Sequence, residues 1–245
     1  MNDIHNVKAI KWFDLVNKSD INGVIDMIKS GIDVNVRNGV KDGCNTALLI
    51  AVMRQDREMV KLLIDSGASK FLTNYNSESV LSMMLVHNQE VVCERKDGEV
   101  VTKIINCKEG VESIEEMWNN SIGMIEWLVE LGVDINTRGS NGDTLLHKVM
   151  SNVVGDIGNI IEWLVAKMRI DVNIKNNDGN TALHLYVKNG CNSVIKSIVP
   201  FLMLVSKGNP NIKNNKGRSV INYACKYKHK DLLDYILCKR DNRME

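Results

Sequence analysis

The chain has 245 residues, 44% hydrophobic and 25% charged, with a net charge of +1. That is enough apolar chain to bury a core, which sets disorder aside, and so even a charge balance removes any global electrostatic case for a nucleic-acid binder or a membrane-surface protein. No apolar run of about eighteen residues spans a bilayer, and Met1-Asn2-Asp3-Ile4-His5-Asn6 lacks the basic flank and apolar stretch of a secretory signal.

A cytoplasmic protein is therefore expected, with a nuclear location or delivery into a host cell as variants of that reading. Two prolines and 5% aromatics argue against a sandwich or barrel, so helices should dominate. The six cysteines (Cys44, Cys93, Cys107, Cys191, Cys225, Cys238) are scattered and are expected as reduced thiols.

In chain order, residues 8–37 read as two helices, with Trp12, Phe13 and Leu15 on the first and Val24, Ile25 and Ile28 on the second. Ser30-Gly31-Ile32-Asp33-Val34-Asn35 follows, then Gly43-Cys44-Asn45-Thr46-Ala47-Leu48-Leu49 and a helical run through Val60, Leu62, Leu63 and Ile64. Ser79 opens another apolar segment. Further on, Leu131-Gly132-Val133-Asp134-Ile135-Asn136 and Arg169-Ile170-Asp171-Val172-Asn173 echo residues 30–35. Gly142-Asp143-Thr144-Leu145-Leu146-His147, Gly179-Asn180-Thr181-Ala182-Leu183-His184 and Gly217-Arg218-Ser219-Val220-Ile221-Asn222 echo residues 43–49. Ile125-Glu126-Trp127-Leu128-Val129 returns 36 residues on as Ile161-Glu162-Trp163-Leu164-Val165, which puts Trp127 and Trp163 at a leucine position and predicts them in the core.

Each recurring piece has a physical job. Thr46, Ser79, Thr144, Thr181 and Ser219 precede apolar helical runs, where a hydroxyl caps the first turn. Glycine before the cap supplies the positive φ of a tight turn, and Gly31, Gly67, Gly132 and Gly208 are predicted to end the second helices in the left-handed conformation. The unit is turn, short helix, turn, longer helix.

With cap, turn glycine, histidine and Asp-Val-Asn recurring in register, the chain resembles the ankyrin-repeat family over nearly its whole length. The resemblance implies an all-α ankyrin-repeat solenoid of about six repeats in one domain, 1–245, with short hairpin-like turns. Residues 8–37 make an amino-terminal capping repeat, and 38–74, 75–136, 137–173 and 174–212 follow, before a carboxyl-terminal capping repeat at 213–245. Caps spaced 37 and 38 residues apart, at Thr144, Thr181 and Ser219, imply small insertions.

The 65 residues from Ser79 to Thr144 depart from the pattern, and 89–118 is the irregular segment. Either Val100-Val101-Thr102-Lys103-Ile104-Ile105 is a helix ending near Gly110, with a degenerate repeat beginning at 112–119, or 89–118 leaves the stack as a hairpin through Asp97-Gly98 before Ile122 to Leu131 completes the repeat. The degenerate helical pair is the preferred reading.

Candidate chemistry is sparse. His147 and His184 recur in the turn motif, and the family uses that imidazole to bond neighbouring turn backbone; neither has a second His or Cys at the spacing of a metal face. His5, His87 and His229 are isolated and read as exposed polar side chains. No placed nucleophile and base, no phosphate-binding glycine loop and no carboxylate dyad at the adjacent Glu115 and Glu116 are found, so no enzyme, metal or cofactor is expected.

Charge distribution is more informative. Glu109, Glu112, Glu115, Glu116, Glu126, Glu130 and Asp134 occur without Lys or Arg between them, whereas Gly179 to Lys230 holds no Asp or Glu and carries Lys188, Lys196, Lys207, Lys213, Lys216, Arg218, Lys226, Lys228 and Lys230. Solvated faces are the ordinary meaning of such runs, but the carboxyl-terminal repeats are also suited to an acidic protein surface. The stretch lacks the Arg and aromatic interleaving of a base reader, so nucleic acid is not the expected partner, and neither is a membrane.

The resemblance places binding on the turn tips and the concave face, at positions the pattern leaves free. These are Arg37, Asn38 and Lys41; Phe71, Leu72, Asn74 and Tyr75; Arg138 and Asn141; Lys175 and Asn176; and Lys213, Asn214 and Lys216, with Lys228 beyond them. Phe71 and Tyr75 are candidate aromatic anchors, the plainer alternative being that Phe71 packs over its neighbouring turn. The expected function is a monomeric, non-enzymatic module that binds a partner protein. The alternative is a viral or pathogen effector that mimics host ankyrin proteins to inhibit a signalling factor, suggested by Asn- and Lys-rich tips such as Ile174-Lys175-Asn176-Asn177. Family members can also be hydroxylated at asparagines matching Asn35, Asn136 and Asn173.

Overall fold

The computed structural model describes residues 2–86, 90–96, 99–105, 114–151, 158–189, 202, 207–230 and 232–234. They form two compact units, residues 1–88 with 119–140, and residues 89–118 with 141–245.

In the first unit, α1 (Asn2–Asn17) and α2 (Ile21–Lys29) make an antiparallel pair, followed by α3 (Ala47–Met53), α4 (Arg57–Asp65) and α5 (Val80–Val86). Every residue of α3 from Ala47 to Val52 is buried, because α1 and α5 pack on it from either side while α4 covers its back. A helix enclosed this way carries apolar residues all round rather than on one stripe. The longer helices α2 and α4 bury only Val24 and Met27, and Met59, Val60 and Leu63, and face water elsewhere. Residues 119–130 of α6 (Ile114–Glu130) also belong to this unit, where Met124, Ile125 and Leu128 are buried.

The second unit repeats the scheme. The helices α7 (Leu145–Ser151), α9 (Ala182–Asn189) and α10 (Val220–Lys226) stack in order, and α8 (Gly158–Glu162) runs on into a π-type turn over Trp163–Lys167. That turn has a sequence cause. Ile125 and Ile161 lie 36 residues apart, but Asp134 and Asp171 lie 37 apart, so one extra residue must be absorbed between them. A π turn absorbs one residue without unwinding the helix.

Segment 89–118 corrects the preferred helical reading. Residues Glu90–Lys96 (β1) and Glu99–Ile105 (β2) form an antiparallel hairpin with Lys96 opposite Glu99 and Glu90 opposite Ile105. Val100 to Ile105 is strand because the run is rich in β-branched residues; Asp97-Gly98, through which the hairpin is expected to turn, lies outside the described residues. Downstream, α6 is one helix from Ile114 rather than a degenerate pair; Gly110 lies outside the described residues.

Of the predicted caps, those at Thr46, Ser79 and Ser219 are formed, Ser79 Oγ accepting from Ser82 N–H at 3.4 Å. Thr46 Oγ1 accepts from Leu49 N–H, and Ser219 and Asn222 make a reciprocal capping box. Two glycine expectations need correction. The left-handed residue ending the second helix is Gly31, Gly67 or Gly132 in three repeats, but Arg169 (φ 53°) takes that place in a fourth, and beside Gly208 it is Lys207 (φ 54°) that is left-handed. Ser77 (φ 63°) fills the turn position held elsewhere by Gly142, Gly179 and Gly217.

Trp127 and Trp163 are half-buried rather than core. The helix phase that buries Leu128 and Leu164 turns the preceding residue outward, and Arg57 lies over the Trp127 ring at 5.3 Å. Among the described residues, no helix is long and apolar enough to cross a membrane.

Candidate functional site

The turns are rigid because their asparagines are used inward. Asn74 Oδ1 accepts from Asn76 and Glu78 N–H at 3.0 and 2.9 Å, Asn176 Oδ1 from Asp178 and Asn180 at 3.1 and 3.0 Å, and Asn214 Oδ1 from Lys216 and Arg218 at 3.0 Å each. Each asparagine folds its own turn through two backbone donors, the habit that suits this residue to turns. Asn38 and Asn141 bond their own turns as well, so none of these five is a free contact residue as the sequence suggested. The missed signal was positional: Asn74, Asn176 and Asn214 each stand five residues before their caps.

Bonds between turns fix each tip against the next. In the second unit, Asn176 Nδ2 donates to Asp143 Oδ1 at 2.8 Å, Asn214 Nδ2 to Asn180 Oδ1 at 2.7 Å, and Lys175 Nζ to the Lys213 carbonyl at 2.9 Å. In the first unit, Arg37 donates to the carbonyls of Cys44 and Thr73. Gly179 is constrained twice: its φ is +75°, and a Cβ there would lie 2.4 Å from Asn215 Oδ1. The amides of Asn35 and Asn173, which match hydroxylatable positions in the family, accept from Ser69 and Asn209 N–H at 2.8 and 2.9 Å.

The histidines form a relay between repeats. His147 Nδ1 accepts from Thr144 N–H at 3.2 Å and His184 Nδ1 from Thr181 N–H at 3.1 Å. A backbone N–H can only donate, so Nδ1 is unprotonated and the proton sits on Nε2. Each Nε2–H then donates to the next turn, His147 to the Asn180 carbonyl at 3.0 Å and His184 to the Arg218 carbonyl at 3.2 Å. Burial, the largest influence, holds His184 below the ordinary imidazole range; Lys175 and His147 push the same way, and the backbone contacts to Arg218 and Ile212 oppose.

His229 needs correction. It is buried, with Nε2 3.1 Å from the Val187 carbonyl, and so ties the loop after α10 back to α9. The His5 side chain and His87 lie outside the described residues.

All nine candidate contact residues are exposed. Arg37, Lys41, Phe71, Tyr75 and Arg138 belong to the first unit, and Lys175, Lys213, Lys216 and Lys228 to the second. Arg37 and Tyr75 bond across the same pair of turns, the latter through Tyr75 N–H to the Gly43 carbonyl at 2.9 Å. Phe71 and Tyr75 are 72% and 71% exposed, so Phe71 does not pack over its neighbouring turn. Lys213 and Lys216 share one turn, and Lys228 follows α10.

Around the second group, Lys188, Lys207, Arg218, Lys226 and Lys230 are also exposed. The ion pair of Lys18 with Asp14 lies in the first unit, and the stretch from Gly179 to Lys230 itself supplies no carboxylate to this cationic surface. Of the acidic stretch, Glu130 and Asp134 are exposed, whereas Glu109, Glu112 and the side chains of Glu115 and Glu116 lie outside the described residues, as does Lys196. No group of three or more His, Cys, Asp or Glu that could hold a metal ion occurs among the described residues.

The family description "Ankyrin repeats (3 copies)" matches residues 115–203 and 154–244, and "Ankyrin repeat" matches residues 44–75. The chain belongs to the ankyrin-repeat family. Ankyrin repeats are generally non-enzymatic protein–protein interaction modules.

Two curated relatives are ankyrin repeat proteins of fowlpox virus (strain NVSL), 27% identical over 47% of this chain and 28% identical over 59%. The chain spans 20% and 19% of their lengths. Among solved structures, the ankyrin repeat protein EF0377 matches 93% of this chain and 96% of its own at a TM-score of 0.58 and 21% identity. An ankyrin repeat domain from Acinetobacter baumannii AYE covers the same shares at 0.58 and 17%. The complex of the predatory endopeptidase Bd0816 from Bdellovibrio bacteriovorus with immunity protein Bd3460 contains a chain matching 91% of this one and 95% of its own, at 0.51 and 19%.

Proposed function

We propose that this chain is a monomeric, non-enzymatic interaction module, and that its carboxyl-terminal turns engage an acidic surface of a partner protein. The carrying observation is the exposed set Lys213, Lys216, Arg218, Lys226, Lys228 and Lys230, within a stretch from Gly179 to Lys230 that contains no Asp or Glu. A single-sign surface of this kind steers association and suppresses partners of like charge. Rigid turns add to this, since contact residues on pre-ordered backbone lose little entropy on binding. Arg37, Lys41, Phe71, Tyr75, Arg138 and Lys175 supply further contact positions, Phe71 and Tyr75 as aromatic anchors.

The test is charge reversal. The variant Lys213→Glu, Lys216→Glu, Lys228→Glu is expected to weaken capture of the partner by about tenfold or more and to flatten its dependence on salt. Unchanged affinity and unchanged salt dependence would contradict the acidic-partner reading.

A second reading is favoured by the fowlpox relatives: a viral effector that occupies a host signalling protein. It predicts a captured partner that comes from the host cell rather than from a virus.

A further inference from the structure

The hairpin of β1 and β2 is the part of the chain that the repeat does not explain. It interrupts the chain between α5, which ends at Val86, and α6, which begins at Ile114. It also lies outside the residues that match the ankyrin family, 44–75, 115–203 and 154–244. Its edges are therefore properties of this chain.

The sheet has two strands, and among the described elements β1 and β2 pack chiefly on each other. A two-stranded hairpin is marginal in water, and a third strand or a packed face is what stabilises one. Each strand also directs the N–H and C=O of every second residue away from its neighbour, and among the described residues no third strand pairs with them.

The two edges differ in sequence. Strand β1 carries Glu90, Glu94, Arg95 and Lys96, a charge density that guards an edge against further pairing. Strand β2 carries only Glu99 and Lys103, and its other residues, Val100, Val101, Thr102, Ile104 and Ile105, are all β-branched. The unguarded edge is β2.

Register and charge define what fits it. Within the hairpin, Glu99 stands opposite Lys96 and Lys103 opposite Val92. On the other side of β2, an antiparallel segment that answers both charges has an acidic residue opposite Lys103 and a basic residue opposite Glu99, with β-branched residues between them. A second copy of β2 has that order from Glu99 to Lys103, but the register that pairs the charges is centred on Val101 and sets Ile104 and Ile105 opposite residues 98 and 97, beyond the strand. A segment of another protein can run along the whole of β2.

We infer that β2 is a docking edge for an extended segment of a partner protein, added antiparallel as a third strand. The segment has apolar residues opposite Ile105 and Ile104, an acidic residue opposite Lys103, β-branched residues opposite Thr102 to Val100 and a basic residue opposite Glu99. Backbone hydrogen bonds supply the affinity, and the charges fix the register. The inference rests on the chain being a protein-binding module. The segment has no net charge and uses none of the cations between Gly179 and Lys230, so this inference and the acidic-partner reading fail separately.

The experiment titrates the full chain against a synthetic peptide of that pattern, Ser-Val-Ile-Glu-Thr-Val-Thr-Lys-Ser, blocked at both ends and read by fluorescence anisotropy of an attached dye. A second peptide has Lys in place of the Glu. Both are measured on the wild type, on Lys103→Glu, on Lys103→Ala and on the triple variant Lys213→Glu, Lys216→Glu, Lys228→Glu. Because Lys103 stands opposite Val92, its substitution leaves the charge pair of Lys96 and Glu99 in the hairpin register intact.

The wild type should bind the Glu peptide about threefold or more tighter than the Lys peptide, the scale of one cross-strand charge pair. Lys103→Glu should reverse that preference, Lys103→Ala should abolish it, and the triple variant should keep it. Bound Glu peptide should also slow hydrogen exchange at alternate amides of β2 in the wild type, the mark of backbone pairing. No binding of either peptide, one preference shared by the wild type and both Lys103 variants, β2 amides that gain no protection, or a chain that sediments as a dimer and excludes the peptide would overturn the inference.

Discussion

At the scale of single residues, the turns depend on polar side chains directed inward. His184 accepts at Nδ1 and donates at Nε2, and adding a proton at Nδ1 would set it against the Thr181 N–H. Because burial lowers the folded-state pKa below the unfolded value of about 6.5, the unfolded chain takes up this proton first on acidification. The contribution of His184 to stability is thus complete above about pH 6.5 and is lost as the pH falls toward the lowered value. Urea unfolding of His184→Gln should show a shallower loss of stability between about pH 6.5 and 5 than the wild type; equal slopes would remove His184 from the account. At neutral pH the same substitution should cost about 1 kcal/mol, from the loss of the part-buried hydrogen bond to the Arg218 carbonyl. The histidine role was legible in the sequence through repetition. The turn asparagines were not read, since an asparagine in a loop looks like an open contact until its bonds to backbone donors are seen.

At the scale of elements, the repeat pattern specified caps, helix order and the enclosed short helices, because periodicity and capping are local. It was weaker where one residue substitutes for another in an unusual conformation. Arg169 and Lys207 are left-handed where other repeats place glycine, a conformation that costs a residue with a side chain about 1–2 kcal/mol. Arg169→Gly should therefore raise stability by up to about 1 kcal/mol after the added flexibility of the unfolded chain is subtracted, seen as a higher urea midpoint at unchanged slope. A lowered midpoint would mean that the Arg169 side chain makes contacts worth more than the strain. The hairpin at 90–105 was an open alternative in the sequence. Its β-branched second strand and Asp97-Gly98 favoured it on local grounds, while the solenoid pattern suggested more helix.

At the scale of the whole molecule, ankyrin repeats are generally protein-interaction modules, and the proposed partner rests on the surface chemistry of this chain. A fold supplies rigid tips; the side chains on them decide what is bound. Phe71 and Tyr75 are largely exposed in the first unit, and the second unit presents cations along Gly179 to Lys230, a stretch without Asp or Glu. Net charge hid this second feature, since acidic segments elsewhere cancel it to +1. The most direct measurement is affinity capture with mass spectrometry from host cells, comparing the wild-type chain with Phe71→Ser, Tyr75→Ser and with Lys213→Glu, Lys216→Glu, Lys228→Glu. The account predicts a protein with an acidic surface that is retained by the wild type, lost with the charge-reversed variant and weakened with the aromatic one, while both variants unfold cooperatively like the wild type. A partner retained equally by all three folded proteins would contradict it.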